Sequence, residues 1–290
     1  MPARIGDGRH HVDCNGEFVA SRSAFFPELE VFAREKHETC YPYYLHDRWQ
    51  LTWILSGKVD LAHHGGTHLL NAGDAVLVAP FEAVAGRLYE HTPFGFVTLQ
   101  IPDHLVSAVC RASRTGGRVV ATRSGAALCE TLIARLIVAG DGDAQRAAID
   151  EALMMFHAKQ SLCTELATRT VRSHPVVSRA CSILDSTIEE GLPLTELAAE
   201  FRLNHRYVIS LFNAELGLTP HQYLMSRRLD CARTMVNQGH ALHAVAAAAG
   251  YNDQSHLTRN FKRAFDVTPG AYQARHCYMN SLQRFPHVSQ

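Results

Sequence analysis

Four polar side chains, Tyr44, His46, Gln50 and Thr52, fall at even spacings in a stretch of alternating character. On a β-strand they share one face, and a phenol, an imidazole, an amide and a hydroxyl make a polar lining suited to a small molecule. Trp49 and Trp53 take the opposite face, where packing is the expected role. Arg48 and Arg87 are candidates to hold a carboxylate, with a surface position as the equal alternative. The pairs His10-His11 and His63-His64 would bind metal only as any surface pair does. No G-x-S-x-G, phosphate-loop lysine motif or G-x-G-x-x-G with a spaced acid occurs, and Asp and Glu are scattered singly, so no catalytic residues and no cofactor are expected. Eight cysteines without a C-x-x-C pair point to reduced, mostly buried thiols.

The elements that would position these groups change period along the chain. From Phe18 to Ile101 the pattern alternates: Trp49, Leu51, Trp53 and Leu55 against Gln50, Thr52, Ile54 and Ser56. Gly57-Lys58 then turns the chain into Val59 and Leu61, and a Gly65-Gly66 hairpin follows. Asn71-Ala72-Gly73-Asp74 precedes Val76-Leu77-Val78, and a last strand spans 94–101. Short strands separated by Gly and Pro turns predict a small antiparallel barrel. Helical periodicity follows over 102–113 (Leu105, Val106, Val109, Cys110), 125–139 (Leu128, Leu132, Leu136, Ile137) and 144–167 (Ile149, Leu153, Phe156, Leu162). These stripes would either pair two subunits, the favoured reading, or pack on the barrel. Residues 170–175 read as a linker.

The last third of the chain contains a repeat. A shift of 49 residues superposes Leu218-Thr219-Pro220 on Val267-Thr268-Pro269, Phe212 on Phe261, Asn204 on Asp253, and Ala198-Ala199 on Ala247-Ala248. Each unit reads as helix, tight turn, helix, with Asn204 and Asp253 as N-caps of the second helices. Between the units Thr219 caps a helix that has Pro220 at its first position and runs to about Gly239, roughly 30 Å long. That spacer suits two second helices in successive major grooves, which recur about every 34 Å. Net charge over the whole chain is zero, but residues 204–276 carry eight Lys or Arg against four Asp or Glu. This excess is compatible with a nucleic-acid partner without establishing one. The first residues lack the apolar core of a signal peptide and no run of 18 apolar residues occurs, so a cytoplasmic protein without membrane contact is expected.

The run Leu197-Ala198, Val208, Phe212, Gly217-Leu218-Thr219-Pro220, Tyr223-Leu224, Arg227-Arg228-Leu229, Ala246, Gly250-Tyr251, Leu257, Arg259, Phe261-Lys262, Phe265 and Val267-Thr268-Pro269 resembles the AraC/XylS transcription-regulator DNA-binding domain over about residues 175–275. The resemblance implies that the second helix of each unit reads DNA: His205, Arg206, Ile209 and Asn213 in the first, and Gln254, Ser255, Thr258, Arg259, Lys262 and Arg263 in the second. Their chemistry suits base edges and phosphates. Ser210 and Asn213 depart from basic residues usual in the family, so the second helix is expected to supply more of the electrostatic affinity. Upstream, His46-Asp47, Gln50-Leu51, Trp53-Ile54-Leu55-Ser56-Gly57 and Gly73-Asp74 resemble the cupin-type sensor domain that precedes many such DNA-binding domains. A metal cupin has four ligands in these stretches, and only His46 survives, so no metal is expected and Tyr44, His46, Gln50 and Thr52 become an effector lining.

The expectation is therefore an α+β chain in two domains. A cupin-like antiparallel barrel with its first helix occupies 1–113, a helical dimerisation region 114–170, and an all-α double helix-turn-helix domain 171–290. The resemblance implies a ligand-responsive regulator, a homodimer, that binds promoter DNA and activates by contacting RNA polymerase. The rival readings are control by a protein partner in place of a small effector, and a cupin enzyme fused to a DNA-binding module.

Overall fold

The computed structural model describes residues 19–22, 26, 29–37, 40–41, 44–63, 66–106, 119–122, 131–132, 135–136, 141–158, 163–167, 174–265, 267–274 and 276–278. An N-terminal β region is followed by a helical C-terminal region. The strands are β1 Val19–Arg22, β2 Glu30–His37, β3 Arg48–Ser56, β4 Lys58–His63, β5 Gly66–Asn71, β6 Ala75–Val78, β7 Val84–Leu88, β8 Phe94–Pro102, β9 Val119–Thr122, β10 Cys163–Ala167 and β11 His276–Tyr278. Eight form one sheet in the order β10-β9-β6-β3-β8-β2-β1-β11, and three form a second in the order β5-β4-β7. Pairing is antiparallel throughout except that β11 lies parallel to β1.

The expected alternation of β3 decides which side faces what. Trp49, Leu51 and Trp53 join Val97, Leu99 and Ile101 of β8 on the outer face. There they pack under Leu132 and Leu136 and under Ile149 and Leu153 of α1 (Gly142–Ala158). Gln50, Thr52 and Ile54 point the other way, toward the three-stranded sheet. Between β3 and β4, Gly57 sits at φ +71° with Pro93 O 2.5 Å from where a Cβ would lie, so only glycine fits that turn.

Two sequence expectations change here. Over 102–113, Pro102 still pairs with Arg48 in the ladder, and a 3₁₀ turn at Asp103–Leu105 replaces a helix; residues 107–113 lie outside the described ones. Asp103 Oδ1 accepts from Trp49 Nε1 at 2.9 Å, which ties the turn to the strand. Over 144–167, α1 ends at Ala158 and Cys163–Ala167 pairs with β9, so ladder partners override the helical pattern. Of 125–139 only 131–132 and 135–136 are described, and they are helical; of the linker, only His174 and Pro175 are.

The C-terminal helices are α2 Pro175–Ser186, α3 Leu194–Glu200, α4 His205–Leu216, α5 Pro220–Asn237, α6 Leu242–Ala248, α7 Gln254–Phe265 and α8 Pro269–Ala274. Caps fix their starts. Asn204 Oδ1 accepts from Arg206 N at 2.8 Å, Asp253 Oδ1 accepts from His256 N at 2.7 Å, and Thr219 with Gln222 forms a capping box ahead of Pro220. The repeat differs from a uniform shift by one residue. Leu203 N donates to Ala198 O and Tyr251 N donates to Ala246 O, so the first helices correspond at 48 residues and the second at 49. The extra residue sits in the second turn, where Gly250 (φ +71°) has Ile188 O and Glu189 O 2.3 and 2.6 Å from an added Cβ. Arg227 Nε to Asp185 Oδ1 (2.9 Å) and Arg228 Nε to Ile188 O (2.8 Å) hold α2 against α5.

The two regions meet through a buried polar cluster. Glu30 of β2 accepts from Arg48 Nη1 (3.0 Å), Arg233 Nη1 (2.7 Å), Asn237 Nδ2 (2.7 Å) and Tyr272 OH (3.0 Å). Arg233 Nη2 also bonds Asp230 Oδ1 at 2.8 Å. Glu30 and Arg233 are each 2% exposed. Burial raises the Asp230 carboxyl, but the Arg233 charge and hydrogen bond outweigh it and hold the group at about 2.

Removing one partner of such a buried pair costs about 3–5 kcal/mol because the other charge is left uncompensated. Glu30→Leu should lower stability by about that much in denaturant unfolding, and adding Arg233→Met should restore part of it; additive losses would show the two do not interact. The Asp230 carboxylate, depressed in the folded state, contributes stability that is present above about pH 4 and lost as pH falls toward about 2, roughly 2 kcal/mol in all. Asp230→Asn should start less stable than the parent and show a shallower decline across that window in acid titrations.

Candidate functional site

The residues expected to read DNA are placed by the caps and stripes of α4 and α7. In α4 the side chains of Val208 and Phe212 are buried, and in α7 those of Leu257 and Phe261, which turns the opposite face of each helix outward. His205, Arg206 and Asn213 are exposed on α4, with Ile209 half-buried. Gln254, Ser255, Arg259, Lys262 and Arg263 are exposed on α7, with Thr258 half-buried and its hydroxyl donating to Gln254 O at 2.8 Å. Among the described residues Arg206, Arg259, Lys262 and Arg263 make no ion pair, so their charges are available to an anion. Tyr207, half exposed beside Arg206, was not singled out from the sequence; an exposed aromatic next to a cap is its signal. The spacer α5 has 18 residues, which is about 27 Å of helix, close to the groove repeat.

A second feature lies between the two sheets. A cavity of about 140 Å³ is lined by Gln50 and Thr52 of β3, Thr98 and Gln100 of β8, aromatic rings and aliphatic side chains, with Ala264 and Phe265 of α7 closing one side. Tyr44, Gln50 and Thr52 of the expected lining are in its wall; His46 is not. The His46 ring is buried behind the wall, its Nδ1 2.7 Å from the Arg48 carbonyl oxygen and its Nε2 2.5 Å from the Gln50 amide. Burial lowers its pKa, which favours the neutral ring. The atom of Gln50 that faces Nε2 is its amide oxygen, and its amide nitrogen points on to Thr52. Beyond Gln50 the chain of contacts continues to Thr52 Oγ1 (3.0 Å) and from there to Thr98 Oγ1 (2.8 Å).

Neither candidate arginine reaches the cavity. Arg48 is engaged with Glu30, and Arg87 is exposed on β7. Arg48 shares the parity of Gln50 and Thr52 and lies on their face of β3, but at the start of the strand, where Glu30 holds its guanidinium outside the cavity wall. Tyr44 touches both the cavity and the interdomain cluster: its hydroxyl is 3.3 Å from Asp230 Oδ1 and its ring meets Phe265 edge-on at 5.8 Å. Burial, with Asp230 adding to it, keeps the Tyr44 phenol protonated well past its ordinary range. Sequence reasoning missed Phe265 as a cavity residue, because its helical stripe marks it only as core. No group of three metal-ligating side chains occurs among the described residues. The thiols of Cys40, Cys181 and Cys231 are free, and burial pushes that of Cys181 up to about 12.

Both regions match known families. Residues 26–157 match the AraC-like ligand binding domain, and residues 197–275 match a helix-turn-helix domain. The chain belongs to the AraC/XylS family. Among its relatives is the transcriptional activator NphR of a Rhodococcus species, 27% identical over 246 residues that make up 79% of this chain and 70% of that protein. The probable transcriptional regulator LumQ of Photobacterium leiognathi is 31% identical over 96 residues, covering 31% of this chain and 39% of LumQ. In solved structures, an apo ToxT variant from Vibrio cholerae shares the two-domain fold with a TM-score of 0.62 at 12% identity, covering 89% of this chain and 99% of ToxT. ToxT has also been solved with an unsaturated fatty acid bound (TM-score 0.55, 11% identity, 89% and 94% covered). This AraC-family regulator thus carries a ligand-binding β region in front of its DNA-binding helices, and among the described residues no helix is long and apolar enough to cross a membrane.

On the α7 face the expected consequence is specific. Arg259→Ala should weaken binding to the chain's own site by about 1–3 kcal/mol and relax base preference at one position. Lys262→Ala should weaken all sequences alike and reduce the salt slope by about one. Binding titrations at two salt concentrations separate the two roles; an Arg259 variant with unchanged affinity and preference would remove that residue from the interface.

Proposed function

We propose that this AraC-family protein is a transcriptional activator whose DNA-reading face is governed by a small molecule held in the cavity between its two sheets. The observation that carries the reading is the position of Phe265: the helix that ends in it presents Gln254, Ser255, Arg259 and Lys262 outward and its last turn inward, as cavity wall. A ligand there touches the second reader directly. Tyr44 gives a second route, through Asp230 into the cluster that joins the two regions. An open, apolar-walled cavity favours a small molecule over control by a protein partner, and regulators among the relatives favour regulation over catalysis.

The proposal includes the ten reading residues on α4 and α7, the domain division near residues 113 and 170, contact with RNA polymerase, and a cytoplasmic homodimer. The dimer surface would not be the Ile149 and Leu153 stripe, which the chain's own sheet covers.

Selection of bound DNA from a random pool with the full chain, at two salt concentrations, tests the reading. Enrichment of one asymmetric motif with two blocks about one helical turn apart is expected, and transcription from a promoter carrying it should rise when the protein is added to purified polymerase. Binding that is only salt-sensitive and sequence-independent would remove the paired readers; a fall in transcription would make the protein a repressor.

A further inference from the structure

We propose that the cavity takes an uncharged, single-ring molecule bearing a hydroxyl, with Gln100 as the group that recognises the hydroxyl. The inference rests on the reading of this cavity as the ligand site and gives that ligand a chemistry.

Size comes first. A cavity of about 140 Å³ is close to the engineered apolar cavity of roughly 150 Å³ that takes up benzene, so one ring with a short substituent fills it. Shape and surface agree. Phe32, Tyr41, Phe94, Phe96 and Phe265 supply aromatic faces and edges around the space, the arrangement in which a further ring finds offset or edge-on partners.

Charge is decided by what the wall lacks. None of the residues lining the cavity is Lys, Arg, His, Asp or Glu. The nearby guanidiniums are engaged: Arg233 with Glu30 and Asp230, Arg48 with Glu30. A carboxylate entering this space would lose its hydration and meet no cation, a large penalty that a neutral ligand avoids. The same argument excludes an ammonium.

The polar handle is Gln100. Its side chain is 7% exposed, it lines the cavity, and its Oε1 is buried with no hydrogen-bond partner among the described residues. Its neighbours in the polar row are already paired: Gln50 with His46 and Thr52, and Thr52 with Thr98. An orphaned buried carbonyl oxygen carries a desolvation penalty that a ligand donor would relieve. A hydroxyl suits an amide because it donates to the oxygen and accepts from the nitrogen.

Three probes of one size separate these elements: benzyl alcohol has the ring and the hydroxyl, toluene the ring alone, and benzoate the ring and a charge. Calorimetric titration of the full-length protein at pH 7 should give benzyl alcohol a several-fold to tenfold tighter Kd than toluene, with benzoate the weakest. In Gln100→Met, close in volume, toluene should still bind while the advantage of the alcohol disappears. Benzoate binding as tightly as benzyl alcohol would overturn the proposed chemistry and leave the cavity as the ligand site. An undiminished alcohol advantage in Gln100→Met would overturn the role of Gln100. Binding of none of the three would overturn the proposed class and the cavity reading together. The wild-type order decides the class by itself, so the outcome does not depend on the variant folding.

Discussion

The Glu30 to Arg233 ion pair is the interaction on which the arrangement of the two regions depends. It joins strand β2 to helix α5 across 203 residues of sequence, at 2.7 Å, with both side chains removed from water. Two carboxylates, Glu30 and Asp230, meet two guanidiniums, Arg48 and Arg233, with Asp47 and Arg227 at the margin, and Asn237 and Tyr272 complete the hydrogen bonds around Glu30. Such a cluster contributes little stability over an apolar replacement, because desolvation offsets attraction. It contributes geometry: each donor requires a carboxylate oxygen at a particular place, so β2 and α5 meet in one orientation. Apolar contacts on either side, Phe32 with Tyr272 and Leu45 with the core around Phe212, bury area without specifying that orientation.

From this anchor the rest of the site follows. Because α5 is also the spacer between α4 and α7, anchoring it against the β region sets where both helices lie relative to the sheets. The last turn of α7 then falls over the mouth between the sheets, and Phe265 becomes cavity wall. The cavity owes its polarity to β3 and β8, paired so that Gln50 lies opposite Gln100 and Thr52 opposite Thr98. Alternation sends Trp49, Leu51 and Trp53 to the helices on the outer face and leaves amides and hydroxyls inside.

Local chemistry was legible in the sequence and long-range pairing was not. Asn204, Asp253 and Thr219 cap the helices that their positions predict, because a cap acts within three residues of itself. Gln50 and Thr52 reached the cavity because a strand has a fixed period of two, and Tyr44, which lies ahead of β3, reached it through its own bridge to Val84. His46 shares the parity, yet it precedes the start of β3 and turns back to the Arg48 carbonyl, so the rule fails where the strand has not begun. Strand β10 was hidden by a helical pattern that its pairing with β9 overrides, and β11 by its distance from β1. Glu30 looked like any surface acid, since nothing near it in sequence announces Arg233. The repeat was visible, but the single extra residue in its second turn was not, because Ala198 aligns with an alanine at either offset.

The placement of Tyr44 constrains how a ligand could act. Its ring faces Phe265 in the cavity and its hydroxyl donates to Asp230 at 3.3 Å, longer than any of the bonds to Glu30. A ligand changes an equilibrium only by its difference in affinity for the two states, so occupancy must alter contacts that differ between them. The bonds of Glu30 are short, fully buried and shared among four donors, and moving them means exposing charge. The Phe265 ring and the Tyr44 hydroxyl are held by weaker contacts at the edge of the same network. Motion prompted from the cavity therefore has its lowest cost at the end of α7, where a small rotation of the last turn is transmitted along one rigid helix to Arg259 and Gln254, while α5 stays pinned to Glu30. On the proposed reading, the second helix-turn-helix would respond to a ligand while the first would serve as the fixed reference.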